Sequence, residues 1–197
     1  MERVISVKAN YLVEHFDYKV TIITLNSSLK SFFTLSDNIE VVTFSYRNRK
    51  EIIKFVNNTK PDVFISTGGK EISLLPFFSK KILKIVEIHF CFQYPILREI
   101  SAGSNFFMKV FGFFKLLRHI FYLNFAHVVV SLTSSDDEKW RLLLPFSKAK
   151  KISNPVPVIN CLQFSNESFK IGCARNRFVA IGRLDHQKGY FDLLNTC

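Results

Sequence analysis

The sequence predicts an α/β protein: a doubly wound parallel sheet, followed by a truncated second α/β domain. Three observations predict it. Short β-branched runs alternate with amphipathic helical patterns along most of the 197 residues, which is the order that folds into an open sheet with helices on both faces. Several of those runs are apolar on both faces, as strands are inside a covered parallel sheet. Hydrophobic residues make up 48% of the chain and include 22 Phe, so a large core is available and a disordered chain is excluded.

The elements come in order. Val4, Ile5, Ala9, Leu12, Val13 and Phe16 share one face at helical spacing, predicting a first helix. Residues 19–25 (KVTIITL) and 39–44 (IEVVTF) read as strands. A helix over residues 49–58 turns Ile52, Ile53 and Val56 inward and stops before Lys60-Pro61, because proline disfavours helical backbone in the residue before it. Further strands are expected at 62–66 (DVFIS), 82–89 (ILKIVEIH) and 127–132 (HVVVSL), with a Phe-rich helix over 105–126 ahead of the last. Ser135-Asp136-Asp137-Glu138 has capping-box spacing and predicts a helix start at Ser135. Ser153-Asn154-Pro155-Val156-Pro157 breaks regular structure, residues 163–176 are polar without a period, and a new strand begins at 177–181 (RFVAI). The expected division is a first domain over 1–160, a linker over 161–176 and the start of a second domain over 177–197. An open α/β domain ordinarily begins with a strand and a glycine-rich turn. Here the first element is a helix, so the first domain is expected to lack its first strand.

Composition narrows the classes of function. Cys91, Cys161, Cys173 and Cys197 are widely spaced with no CxxC pair, which argues against a disulfide framework or zinc site and fits a reducing cytosol. The opening MERVISVKANYLVEHF has no long apolar run and is not a signal peptide. Lys109, Lys115, Arg118 and His119 interrupt the Phe-rich stretch, and a charge near the bilayer centre costs roughly 2.5–3.5 kcal/mol, so a spanning helix is not expected. The net charge of +11 calls for an anionic partner. Nucleic acid, anionic lipid and a nucleotide diphosphate all qualify on charge alone. No zinc finger or RNA-binding signature accompanies it, and the aromatics are Phe in apolar runs rather than interleaved with Arg, so a nucleic-acid partner is not expected.

The most specific string is FVAIGRLDHQKGYFDLL, residues 178–194. It reads as a buried strand, a turn presenting Gly182, Arg183, Asp185 and Lys188, and Gly189 opening an amphipathic helix. Ligands of open α/β sheets sit beyond the carboxyl ends of the strands. Arginine there offers bidentate donors to phosphate and lysine a point charge. An isolated RxxxxK spacing reads equally as a surface turn with solvated cations. Gly68-Gly69-Lys70 also comes after a strand and is expected to face the cleft, although GxxxxGK[ST] spacing is absent and it is not a P-loop. His89 ends a strand and reads either as a hydrogen-bonded core histidine or as a cleft residue. Asn154 reads as a turn residue.

IGRLDHQKGYFDLL resembles the donor-site signature of family 4 (group 1) glycosyltransferases, close to GRLxxxKGxxxLL. Other segments fall in that family's order. Glu2-Arg3-Val4 is similar to the end of its GGxER-V helix start without the glycines, and Pro61-Asp62-Val63-Phe64-Ile65 to its PDVI strand. Val86-Glu87-Ile88-His89-Phe90 resembles its EH-containing strand end. Val130-Ser131-Leu132-Thr133 with Asp136-Asp137-Glu138 resembles VxLTxxD, and Ile152-Ser153-Asn154-Pro155-Val156 its I-x-N-P-V interdomain stretch. The likeness runs along nearly the whole chain.

The resemblance implies a GT-B fold of two Rossmann-like domains, with this chain holding the acceptor-side domain and the first strand and helix of the donor side. It implies transfer of a sugar from a nucleotide sugar to a glycan or lipid-linked acceptor in surface polysaccharide or lipopolysaccharide synthesis, with retention and without a metal or cofactor. Arg183 and Lys188, with Gly182, would bind the donor diphosphate and stabilise the charge on the departing nucleoside diphosphate. His89 would line the cleft as the catalytic histidine, beside Asn154, Gly68 and Gly69. The family's E-x7-E segment and its acceptor-facing glycine-rich turn have no counterpart here, so the chain by itself is expected to have little or no transferase activity.

Residues 105–126 carry two readings: a helix packed across the sheet with its cations at the edge, or attachment to an anionic inner-leaflet membrane. The expected location is the cytoplasm, peripheral on the inner face of the cytoplasmic membrane. The competing functions are a non-catalytic membrane- or acceptor-binding module, the product of a disrupted gene, and a sugar-nucleotide epimerase, which can share the fold.

Overall fold

A computed structural model describes residues 2–25, 33–45, 47–102 and 106–154. The chain divides into two compact units, 1–156 and 157–197, and the described residues all belong to the first. The expected linker and the start of a second domain, with Gly182, Arg183 and Lys188, lie outside the described residues.

The architecture is α/β with parallel sheets. Helix α1, Glu2–Phe16, leads into β1, Thr21–Thr24, and β2, Glu40–Thr43. Helix α2, Arg49–Thr59, connects to β3, Val63–Ser66. A 3-10 helix, Lys70–Phe77, precedes β4, Leu83–Ile88. The helices α3, Tyr94–Ala102, and α4, Phe106–Leu123, come before β5, Val128–Ser131. Helix α5, Ser134–Leu143, then leads to β6, Lys148–Lys151. Every strand pairing among the described residues is parallel, in the orders β1-β2 and β3-β4-β5-β6. Among the described residues β1 pairs only with β2, and β3 only with β4.

The main core lies on one face of both sheets. Val86 and Ile88 of β4 and Val129 of β5 meet Ile52 and Val56 of α2, Leu116 and Leu123 of α4, and Trp140 of α5. Ile23 of β1 and Phe44 pack against the same core, and the Phe55 ring of α2 lies 5.4 Å from that of Phe44. A smaller cluster joins Ala9 and Val13 of α1 to Ile39, with Ile22 beside it. The alternation of Ile22 and Ile23 between the two clusters is the period-2 rule of a strand covered on both faces. Coverage is uneven, and Val63 and Ile65 of β3 remain exposed.

The end of α2 behaves as the residues require. Helix α2 ends at Lys60, whose left-handed backbone (φ 48°) lets its N–H bond the carbonyl of Val56, satisfying one orphan acceptor of the last turn.

Other expectations are corrected. Phe16, placed inward by helical spacing, is exposed, while Ser6 is buried and its hydroxyl donates to the Glu2 carbonyl at 3.1 Å. The start of α5 is not a box beginning at Ser135. The cap is Thr133, in extended backbone, whose Oγ1 accepts from the Asp136 N–H at 3.2 Å and donates to Asp136 Oδ2 at 2.8 Å.

The packed-helix reading of 105–126 holds for only one stripe of α4. Gly112, Leu116 and Leu123 are buried, while Phe106, Phe107, Phe111, Phe113, Phe114 and Phe121 are exposed. Gly112 is the reason α3 can lie so close: a Cβ there would stand 2.9 Å from Ile96 Cα.

Candidate functional site

Because all strands of the four-stranded sheet run parallel, their carboxyl ends share one edge. That edge carries Gly68-Gly69 after β3, His89 after β4, Thr133 after β5 and Asn154 after β6. Ligands of open parallel sheets bind at this edge. The topology therefore brings the sequence-predicted residues of the described part to the same end of the sheet.

Each is held by its surroundings. Gly68 has φ +76°, and a Cβ there would meet the Glu87 carbonyl oxygen at 3.0 Å. The turn after β3 thus combines a backbone conformation that glycine tolerates with a close approach to β4. Glu71, in the first turn of the 3-10 helix, ties this turn down. Its Oε1 accepts from Gly69 N–H at 2.9 Å, from Ser66 Oγ at 2.9 Å and from Thr67 Oγ1 at 3.3 Å. Three donors on one carboxylate oxygen leave the loop little freedom.

His89 sits where β4 ends, with a side chain 9% exposed. Its Nε2 is buried and lies 3.5 Å from Glu87 Oε2, at the long limit of a hydrogen bond, with no closer partner among the described residues. Burial pushes the imidazole below its ordinary value, and the nearby Glu87 carboxylate offsets this only in part. The ring is therefore neutral at pH 7. Glu87 is itself committed to Lys8 of α1, which donates to both of its oxygens at 2.7 and 2.8 Å. That pair fixes the end of β4 against α1.

Beyond His89 the chain is pinned again. The Phe92 N–H donates to Asp136 Oδ1 at 3.0 Å, and the Phe92 ring meets Trp140 edge-on at 4.8 Å. Asp136 thus serves two ends at once, capping α5 with Thr133 and holding the loop after β4. Asp136 is visible in the sequence as part of a VxLTxxD string, but its bond to Phe92 is not legible there, because it joins residues 44 apart. Asn154 Oδ1 is likewise buried without a partner among the described residues. Asn124 Oδ1, just after α4, and Asp137 Oδ1 and Trp140 Nε1 of α5 also lack partners among the described residues; what sets His89 and Asn154 apart is their place at the carboxyl ends of the strands, where ligands of parallel sheets bind.

Cys91, beside His89, is an exposed free thiol. Among the described residues no three His, Cys, Asp or Glu side chains group together as a metal site would require.

The amino-acid sequence is 28% identical over 205 residues to a protein of Erwinia amylovora named amylovoran biosynthesis glycosyltransferase AmsD. The matched stretch covers 98% of this chain and 53% of that protein, so the chain spans about half the length of the relative it matches. No family model and no solved structure matches. The likeness extends over almost the entire chain, and the protein it points to is a glycosyltransferase.

Proposed function

We propose that this chain supplies the acceptor-side half of a glycosyltransferase. It would move a sugar from a nucleotide-sugar donor to a glycan or lipid-linked acceptor during surface polysaccharide synthesis, with retention and without a metal, on the inner face of the cytoplasmic membrane. The observation that carries the reading is the buried Nε2 of His89 at the carboxyl edge of a parallel sheet, met among the described residues only by Glu87 at 3.5 Å. A neutral imidazole placed there can exchange a hydrogen bond with a sugar hydroxyl, and the bond gains strength in a site that excludes water. Gly68 and Gly69 give the backbone close access beside it, and Asn154 offers a second polar atom. Arg183 and Lys188, with Gly182, would hold the diphosphate and stabilise the charge of the leaving group.

The likeness to an amylovoran biosynthesis glycosyltransferase supports this reading over an epimerase or a purely structural role. The test is genetic complementation read out chemically. Deleting the gene should remove one surface glycan or lipid-linked intermediate, and the wild-type copy should restore it. His89→Ala and the Arg183→Ala/Lys188→Ala pair should not restore it. Full restoration by both variants would leave a non-catalytic module as the better reading.

A further inference from the structure

The outward face of α4 is built the opposite way from a solvent-facing helix. At 100° per residue, Phe113, Phe106, Leu117, Val110, Phe121, Phe114, Phe107 and Phe111 form a continuous arc, broken by Arg118 alone. All eight apolar residues are exposed, Phe107 at 81%, Phe106 at 73%, Phe114 at 62% and Phe121 at 59%. The inward stripe is narrow: Gly112, Leu116 and Leu123. An exposed apolar surface of this extent marks an interaction site.

Cations bracket the arc. Lys109 borders it on one side and Lys115 on the other, with Arg118 inside it. The helix carries no acidic residue. Lys115 is neutralised by Glu99 of α3 at 2.6 Å and lies 4.4 Å over the Phe111 ring. Lys109 and Arg118 have no ion pair among the described residues.

We propose that this face docks on the surface of an anionic bilayer, with the Phe side chains entering the acyl boundary and Lys109 and Arg118 meeting lipid phosphates. Three observations favour a bilayer over other occupants. The charge is complementary to anionic lipid, both locally and across a chain of net charge +11. A second copy of the chain would set Lys109 and Arg118 against their own kind. An apolar arc flanked by cations is the pattern of a helix that lies in the interface plane, its apolar face sunk roughly 5–10 Å; among the described residues no helix is long and apolar enough to cross a membrane.

The position bears on the site. Helix α3 begins five residues after His89, and α4 packs on the 3-10 helix whose Glu71 holds the Gly68-Gly69 turn. A docked α4 would therefore present the carboxyl edge of the sheet near lipid-borne acceptors. The inference deepens the transferase reading by naming its membrane surface, and its test involves no sugar, so the two can fail separately.

The test is co-sedimentation of the full chain with phosphatidylcholine vesicles and with vesicles of mixed phosphatidylcholine and phosphatidylglycerol. Binding should be at least about tenfold stronger to the anionic vesicles and weaken with salt. Phe107→Ser/Phe114→Ser/Phe121→Ser should lower it by about tenfold or more, with an unchanged thermal midpoint because these side chains are exposed. Lys109→Gln/Arg118→Gln should abolish the preference for anionic lipid. Absent or composition-independent binding overturns the proposal. So does a stable dimer by light scattering that the Phe triple variant converts to monomer, which would make this face a self-association surface.

Discussion

His119 offers the sharpest quantitative consequence of the packing. It lies on the inward side of α4, its ring 6.0 Å from that of Trp140. Burial, with a smaller contribution from Arg118 and a partial offset from Glu71, pushes its pKa from 6.5 down to about 4. Between those values the unfolded chain binds a proton that the folded chain refuses, so stability is intact above pH 6.5 and is lost as pH falls toward 4. The full difference corresponds to about 3 kcal/mol, of which about 2 kcal/mol is already lost at pH 5. The perturbation is His119→Leu, which removes the titrating group while keeping an apolar side chain against Trp140. Urea unfolding at pH 7.5 and at pH 5 would be measured for both proteins, and the wild-type loss should exceed the variant's by about 2 kcal/mol. Carboxylate titrations are common to both and cancel in the difference. Equal losses in the two proteins would show that His119 is not held neutral by burial, and would refute the inward placement of this side of α4.

Gly112→Ala should destabilise by roughly 1–3 kcal/mol despite the better helix propensity of alanine, because the added Cβ would stand 2.9 Å from the Ile96 backbone; thermal unfolding checks it. Gly68→Ala should cost roughly 1–2 kcal/mol from its left-handed backbone alone, and should impair glycan restoration in the complementation assay, since the turn lies beside His89. Thr133→Ala should lose about 1 kcal/mol as an N-cap deletion, with Thr133→Ser recovering most of it. Hydrogen exchange of the Phe92 amide should quicken in the Thr133→Ala protein, because Asp136 holds both groups.

The strands are legible in the sequence because β-branched runs of the right length announce themselves, as in HVVVSL before α5 and ILKIVEIH ending at His89. Strand β6 is not legible: KAKK has no β-branched residue, and only its place beside β5 makes Ala149 a buried position. Helix α3 is hidden for a related reason, since YPILREISA is short, carries a proline in its first turn, and is fixed by docking on α4 rather than by its own pattern. Apolar content identifies α4 as a helix but does not say which stripe faces inward, because Phe recurs all round it. The inward stripe is set by Gly112, where small size permits contact with α3. His89, Gly68, Gly69 and Asn154 are readable as strand-end residues. The long contact from His89 Nε2 to Glu87 is not, since it depends on Glu87 being drawn to Lys8, 79 residues away.

Whether the carboxyl edge around His89 serves sugar transfer is tested most directly by supplying a panel of labelled nucleotide sugars to three membrane preparations. These come from cells carrying the gene, from deletion cells, and from deletion cells expressing the His89→Ala chain. The expected result is one labelled lipid-linked or polymeric product that vanishes on deletion, returns with the wild-type chain, and stays absent or greatly reduced with His89→Ala. An unchanged set of products after deletion, or full recovery with His89→Ala, would contradict a role for this edge in transfer.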